Sequence, residues 1–377
     1  APNIGILIIG RALQGFGSGG IIALTCIIIA DITPLRKRGL YMGVSGAIFA
    51  FTSVIGPLLG VPIEKSPFME KFKKIDFLGT FTLIGTKYPW ASAHIISLFI
   101  VGVVLLIVYI VIEFKFAEEP ITPPVLFKYR NITTSSITNF LEGIIFLNVI
   151  NTLPLLYQDG CRYTATHTGL RIVPISVFLT VTAMGSGYFI GKWGHIDLYI
   201  KTGCFFSIIA VYLISLIGIE TSYWVEFLIF VLYGLSCGVI YQNCIMVAQQ
   251  AAPPEYLSIS TTITSFFNYI GGAIGVAVYG AFLQNFFPKC YKDHYPEADH
   301  VTVNDVHHIP EGNRIYVEAI QKTYLCSIFP VTIVLFISSM FITHKKYKSD
   351  SVEKIEKEEE MKRSKDKIIV NVTIPDN

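Results

Sequence analysis

Long apolar segments alternate with short polar loops along most of this chain. Nine segments are about eighteen residues or longer and carry few charges, which is the length a helix needs to cross an apolar core of about 30 Å. A tenth apolar run, residues 77–85, is too short to cross and is predicted as a half-span. We therefore predict nine membrane-spanning helices, over residues 4–30, 40–60, 93–113, 133–156, 169–191, 202–219, 224–248, 258–287 and 323–343.

The composition supports a membrane protein. Of the 377 residues, 52% are hydrophobic and 15% are charged, whereas about a quarter are charged in soluble domains. Residues 344–377 hold nine Lys or Arg and alternate acidic with basic groups, so we predict a solvated tail that is disordered or transiently helical. The net charge of +2 does not favour nucleic acid, because the basic residues lie in short clusters between apolar segments.

Basic loops predict the orientation of the spans, because Lys and Arg favour the cytoplasmic side of a membrane. From residue 115 onward the basic clusters are separated by even numbers of crossings, which places the C-terminal tail in the cytoplasm. Between residues 38 and 65, and again between residues 74 and 115, the number of full spans is odd. We therefore expect that one span is missing near residue 60, and that residues 77–85 are what remains of a second, shortened span.

A polar face lies inside the first predicted span. Gln14 and Ser18 follow Arg11 at the spacing that places three residues on one side of a helix. A central Arg costs about 2.5–3.5 kcal/mol to insert, so we expect Arg11 to face a cavity or a partner. Because Arg11 is close to the start of the segment, snorkelling to the membrane interface is the alternative.

Short motifs follow one another in an order that resembles a known family. Residues 10–20 read GRALQGFGSGG, residues 31–39 read DITPLRKRG, Gly46 precedes GPLLG at residues 56–60, and LPLLYQ at residues 153–158 precedes GLR at 169–171 and Pro174. These motifs resemble the major facilitator superfamily, specifically the fungal fourteen-span drug:proton antiporter branch that includes vacuolar basic amino acid transporters.

The resemblance implies a fold and a set of functional positions. The motif around Arg11, Gln14 and Ser18 resembles the fourth-helix signature, where it implies a substrate- or proton-linked pathway. The antiporter signature of the fifth helix is matched by Gly46, Gly56, Pro57 and Gly60. Small residues also allow close helix packing, and Pro57 would kink the helix, so packing without transport is the alternative.

The implied fold class is an all-α multi-pass membrane protein with an incomplete major facilitator fold. Spans one to three would precede Ala1, a sixth would follow Gly60, and most of a seventh would follow Thr86, which leaves nine spans of fourteen. We expect four parts: residues 1–60 as the remnant of an N-terminal bundle, 61–131 as a truncated linker region, 132–343 as a complete six-helix bundle, and 344–377 as the tail.

One carboxylate lies deep in a predicted span. Glu142 is well inside residues 133–156, and Ser135 and Asn139 share its helix face. A carboxylate with this setting is a candidate proton carrier. A protonated glutamate that hydrogen-bonds to a neighbouring helix is the alternative.

Other polar residues in the spans are secondary candidates. Tyrosine rings could line a cavity for an aromatic or cationic substrate, with a structural role as the alternative. Buried amides could contact the substrate, with interhelical hydrogen bonding as the alternative for each. The tyrosines are Tyr233, Tyr241 and Tyr279, and the amides are Asn148, Asn151, Gln242, Asn243 and Asn268.

The loops offer weaker features. Arg171 opens a span on the non-cytoplasmic side and is interpreted as an interfacial anchor. Residues 288–322 carry four histidines without metal-ligand spacing, which predicts a solvated loop and no metal site. Cys161 and Cys290 fall in two non-cytoplasmic loops and could pair in an oxidising lumen.

These features favour a secondary transporter, with proton-coupled antiport of drugs or basic amino acids as the leading hypothesis. The alternative is a truncated, non-transporting or regulatory membrane protein of the same family. An enzyme is not expected, because the spans lack clustered histidines or paired carboxylates. We expect no cofactor, and the partners would be protons, a small solute and the lipid of a plasma or vacuolar membrane.

Overall fold

The computed structural model describes residues 124–296 and 311–343, with single residues at positions 24, 25, 28, 29, 33, 41, 303, 306 and 309. Every regular element in the two continuous ranges is a helix. Apart from those single positions, the first three predicted spans, the half-span and the charged tail lie outside the described residues.

Six helical segments follow one another in the described ranges. Five are α1 (Arg130–Leu155), α2 (Ala165–Trp193), α3 (Ile196–Ile214), α4 (Tyr223–Ala251) and α5 (Leu257–His294). The sixth consists of α6 (Gly312–Thr323), a π-helical turn (Tyr324–Ile328) and α7 (Phe329–Met340). A second π-helical turn, Leu156–Gly160, continues α1. All six segments are long and apolar enough to cross a membrane, which confirms the predicted all-α multi-pass class for this part of the chain.

The predicted loop at residues 288–322 is wrong over much of its length. Helix α5 continues to His294, and α6 already begins at Gly312. The apolar pattern stops at Pro288, yet Phe287 and Cys290 are buried on either side of this proline, so packing keeps the helix intact. Helix α6 was missed because it is amphipathic and on average slightly polar, unlike a membrane span.

Thr164 and Gly194 mark the two ends of helix α2. The Thr164 hydroxyl accepts a hydrogen bond from the His167 backbone N–H at 3.4 Å, which caps the first turn. At the other end Gly194 has a φ of 87°, a left-handed conformation that glycine adopts without a steric penalty. The turn to α3 is therefore short, with α3 beginning at Ile196.

Glycines bring two pairs of helices into close contact. A methyl group at Gly271 of α5 would collide with the backbone of Phe140 in α1. In the other pair, a methyl group at Gly234 of α4 would lie 2.6 Å from the carbonyl oxygen of Ile175 in α2. Close backbone approach at small residues is the usual way in which membrane helices associate. The α1–α5 and α2–α4 pairs are therefore tightly packed.

The first and last described helices meet at one end of the bundle. The Asn131 side-chain amide donates to the Thr343 carbonyl oxygen at 3.0 Å. The Thr343 backbone N–H and hydroxyl both donate to the Asn131 side-chain oxygen, at 3.2 Å and 2.8 Å. This reciprocal bonding joins the start of α1 to the residues that follow α7.

Candidate functional site

Glu142 lies in the interior of the helical bundle. Its side chain projects from α1 and is 1% exposed. It interacts electrostatically with Cys204 of α3 and with residues of α4 that include Tyr233 and Cys237. The carboxyl group is therefore surrounded by side chains from three helices.

The Glu142 carboxyl group has no fixed hydrogen-bond partner among the residues that the structure describes. The Cys237 thiol is close enough to interact with it, but neither oxygen makes a hydrogen bond of regular geometry. A buried ionised carboxylate without partners would be very costly, so the group is more stable in its neutral form here. A carboxyl group in this setting can bind a proton and release it when its surroundings change.

Asn139 lies one helical turn before Glu142 on α1, and it connects α1 to Asn268 and Thr264 of α5. The Asn268 amide donates to the Asn139 backbone oxygen at 2.8 Å, and the Asn139 amide donates to the Thr264 backbone oxygen at 3.1 Å. Ser136 and Thr264 hydroxyls are 3.3 Å apart in the same seam. These contacts match the interhelical bonding that was the alternative to a substrate contact.

The remaining candidates on α1 and α4 are spread along the bundle. The Asn243 amide donates to the Ser186 hydroxyl at 3.3 Å and so connects α4 to α2. The amides of Asn148 and Asn151 donate to backbone oxygens four residues earlier in α1, at 2.6 Å and 2.7 Å. Tyr241 is half-buried. Of these candidates, Tyr233 is the one that the structure brings to Glu142.

Arg171, interpreted from sequence as an interfacial anchor, forms an ion pair with Glu226. The Arg171 guanidinium donates to a Glu226 carboxylate oxygen at 2.6 Å, and it also donates to the Tyr163 hydroxyl at 3.3 Å. Its central carbon lies 4.4 Å from the centre of the Tyr163 ring and 5.5 Å from the Tyr157 and Tyr223 rings. The sequence interpretation did not include Glu226. Its position near the start of a predicted span, like that of Arg171, could have suggested it as a partner.

The polar cluster near the end of α5 also departs from expectation. His294 lies 3.7 Å from Glu318 and Lys322 lies 2.9 Å from it, so these side chains are partly paired. Within the described residues, no three His, Cys, Asp or Glu side chains are grouped closely enough to hold a metal ion. Cys161 and Cys290 are separate free thiols, so the suggested disulfide is not formed. Cys290 is buried on α5 and interacts with Lys322 instead.

The candidates from the N-terminal motifs lie outside the described residues. They are Arg11, Gln14 and Ser18 of the first motif and Gly46, Gly56, Pro57 and Gly60 of the second.

The fold and the buried carboxyl group define a multi-pass α-helical membrane protein with a titratable interior. The Major Facilitator Superfamily family model matches residues 1–276, so the chain belongs to this superfamily.

Several known proteins are similar to the chain. An uncharacterised MFS-type transporter of Mycobacterium tuberculosis is 28% identical over 389 residues, covering 89% of this chain and 56% of the relative. The efflux pump dotC of Dothistroma septosporum is 29% identical over 334 residues, covering 76% of this chain and 57% of the pump. The chain therefore spans little more than half the length of these relatives. A crystal structure of a bacterial homologue of the human lysosomal transporter Spinster, inward-facing and occupied, matches with 13% identity and a TM-score of 0.49, over 84% of this chain and 71% of that one.

Proposed function

We propose that the chain forms part of a proton-coupled secondary transporter that exports small organic solutes, and that Glu142 carries the proton. Membership of the superfamily supports transport, and the buried, unpartnered carboxyl group supports proton coupling. The names of two fungal relatives, efflux pumps of Dothistroma septosporum and Phaeosphaeria nodorum, support export. The drug:proton antiporter branch within the superfamily is part of the proposal and rests on the motifs at residues 10–20 and 56–60.

The proposed mechanism couples the charge of Glu142 to the conformation of the bundle. A neutral Glu142 is compatible with its closed apolar surroundings, whereas an ionised Glu142 favours a conformation that admits water or a cationic solute. Protonation on one side and release on the other would then bias alternating access. The membrane would be plasma or vacuolar, with the tail in the cytoplasm and residues 161–164 on the opposite side.

A non-transporting protein of the same family is the second candidate, and one observation favours it. The alignment with the Mycobacterium tuberculosis transporter extends over 389 residues, which is more than this whole chain, although it covers only 89% of it. The relative therefore has residues within the aligned region that have no counterpart here. Loss of spans around residues 60 and 86 would account for them and would leave the first bundle incomplete.

Reconstitution separates these two functions. The 377-residue chain in liposomes containing a pH-sensitive dye is exposed to ethidium as a cationic drug and to arginine as a basic amino acid. Proton-coupled transport predicts a change in dye signal with one of these probes. The change should be lost in Glu142→Gln and retained in the control Glu220→Gln, which alters an exposed glutamate. Wild-type vesicles that respond to neither probe would favour the non-transporting protein. Equal responses in Glu142→Gln would contradict the role of Glu142.

A further inference from the structure

Four tyrosines are buried side by side in the half of the bundle that separates Glu142 from the loop at residues 161–164. Tyr233 is on α4, Tyr279 is on α5, Tyr316 is on α6, and Tyr324 is on the π-helical turn that follows α6. Each is at most 4% exposed. They come from three of the six helical segments, since Tyr316 and Tyr324 share the sixth, so their association is a product of the fold.

The tyrosines form a series of interacting neighbours that starts at Glu142, with a ring contact between Tyr324 and Tyr279 at its centre. Tyr233 interacts electrostatically both with Glu142 and with Tyr324. The rings of Tyr324 and Tyr279 are in contact, with centroids 5.4 Å apart and planes at 61°. The hydroxyls of Tyr324 and Tyr279 both interact with the Thr152 side chain of α1. Three hydroxyl groups therefore meet at one place in the interior.

The series continues to the end of the bundle. Tyr279 interacts electrostatically with Tyr316, and Tyr316 does so with Asp159. Asp159 lies in the π-helical turn after α1, is half-buried, and follows the exposed residue Gln158. The last member of the series is thus a carboxylate beside the aqueous surface.

Three of the four tyrosine hydroxyl groups in the series are not used for regular bonding. Those of Tyr233, Tyr279 and Tyr324 are buried and make no hydrogen bond of regular geometry to any residue in the described ranges. Phenylalanine would pack in the same volume without burying a polar group, so the hydroxyls require an explanation other than packing. Buried water held by two to four polar groups is the usual way in which such groups are satisfied.

We propose that these hydroxyls line a water-assisted proton path from Asp159 through Tyr316, Tyr279, Tyr324 and Tyr233 to Glu142. The proposal rests on the proposed function, because it assumes that Glu142 takes up a proton. At each step an oxygen accepts one proton and donates another to the next oxygen, so every O–H bond broken is replaced by one formed. The net change is one proton taken from the medium and one Glu142 carboxylate converted to a carboxylic acid.

The other titratable groups near this path lie to its sides. Cys204 of α3 and Cys237 and Cys244 of α4 interact electrostatically with Glu142. Tyr157 faces Arg171 and Glu226 and belongs to that ion-pair cluster. Among these groups the path is distinguished by its buried hydroxyls without regular hydrogen bonds, and Tyr279 and Tyr324, whose rings are in contact, are the residues to test.

The test measures how fast Glu142 is protonated from one side. Vesicles are selected in which the loop at residues 161–164 faces the medium, as checked by labelling Cys161 with a membrane-impermeant maleimide. After an acid pulse outside, time-resolved infrared spectroscopy follows the carboxylic acid C=O band that is lost in Glu142→Gln. The variants are Tyr324→Phe and Tyr279→Phe, and the control is Tyr212→Phe, whose ring is 44% exposed on α3.

The path predicts that Tyr324→Phe and Tyr279→Phe each lower the rate at which the C=O band appears by about tenfold or more, because each removes a positioned proton-transfer group. The final amplitude should be unchanged, and Tyr212→Phe should behave as the unaltered chain. Equal rates in all four proteins would overturn the path and leave the proposed function intact. If the unaltered chain gives no titrating band beyond that of Glu142→Gln, both the path and the role of Glu142 are wrong.

Discussion

Arg171 and Glu226 form the ion pair that joins α2 to α4 near one end of the bundle, with 2.6 Å between guanidinium nitrogen and carboxylate oxygen. The Glu226 side chain is 3% exposed and that of Arg171 is 21% exposed. The two residues are 55 positions apart in sequence, and both lie near the starts of their helices. Three tyrosine rings surround the guanidinium, so the pair is fixed in geometry and shielded from water.

We expect Arg171→Gln to lower the stability of the bundle by about 3 kcal/mol, because it leaves the Glu226 carboxylate buried without its partner. Arg171→Gln combined with Glu226→Gln should recover a large part of this loss, since no buried charge remains. Thermal unfolding in detergent measures both effects. The more exposed pair of Lys322 and Glu318, spaced four residues apart on one helix, provides the control, where Lys322→Gln should cost about 0.3–0.5 kcal/mol. Additive losses in the double variant would contradict the coupling.

The same ion pair should control the reactivity of Cys161. Burial raises the pKa of this thiol, the Glu226 carboxylate raises the pKa further, and the Arg171 guanidinium lowers it. The thiolate is the reactive form, so a raised pKa moves the alkylation profile to higher pH. Glu226→Gln removes the negative charge and should move the maleimide labelling profile of Cys161 to lower pH. Arg171→Gln should move it to higher pH, and Cys161→Ser supplies the background. Shifts in the same direction for both variants would contradict the electrostatic origin.

The six spans within the described residues could be predicted from sequence, because crossing a bilayer requires a length of apolar residues that the sequence shows directly. The ends of α5 and α6 could not, since residues 288–294 and 312–323 are polar enough to resemble a loop and become helical only through packing. Glu142 was recognisable as a lone carboxylate in an apolar segment. Its tyrosine neighbours depend on how four segments are rotated about their axes, and no spacing in the sequence records that rotation.

The role of the glycines in the two tightly packed helix pairs could have been predicted from their spacing. Gly234 and Gly238 are four residues apart, as are Gly271 and Gly275, which is the small-residue spacing of associating membrane helices. The sequence does not say which partner each pair contacts, and the structure assigns α2 to the first and α1 to the second.

A hydroxyl test addresses the energetics of the buried tyrosines apart from any proton transfer. Tyr324→Phe should leave the stability of the bundle unchanged or raise it by about 1 kcal/mol, because a buried hydroxyl without a regular hydrogen bond costs about 1–3 kcal/mol. The ring contact with Tyr279 is preserved in this variant. Thermal unfolding gives the comparison, with Tyr212→Phe as the control. A clear loss of stability would indicate that the hydroxyl makes a firm hydrogen bond and would contradict this expectation.

The α1–α5 contact gives the sharpest test of the packing, because α5 contains a matched pair of glycines. A methyl group at Gly271 would collide with the Phe140 backbone, which cannot move without separating the helices, whereas a methyl group at Gly280 would meet nothing within 4 Å. Alanine is favoured over glycine in a helix by about 1 kcal/mol, so the same substitution should act in opposite directions at these two sites.

We expect Gly280→Ala to leave the thermal stability unchanged or to raise it slightly. Gly271→Ala should lower it by about 2 kcal/mol, since an overpacked helix contact costs about 1–3 kcal/mol. It should also weaken the hydrogen bond from Asn268 to Asn139 one turn away, which hydrogen exchange in α5 would report. Because Glu142 lies three residues after Asn139 on α1, separation of the helices should also admit water to its carboxyl group. If Gly271→Ala and Gly280→Ala have the same effect, the close approach of α1 and α5 at Gly271 is wrong.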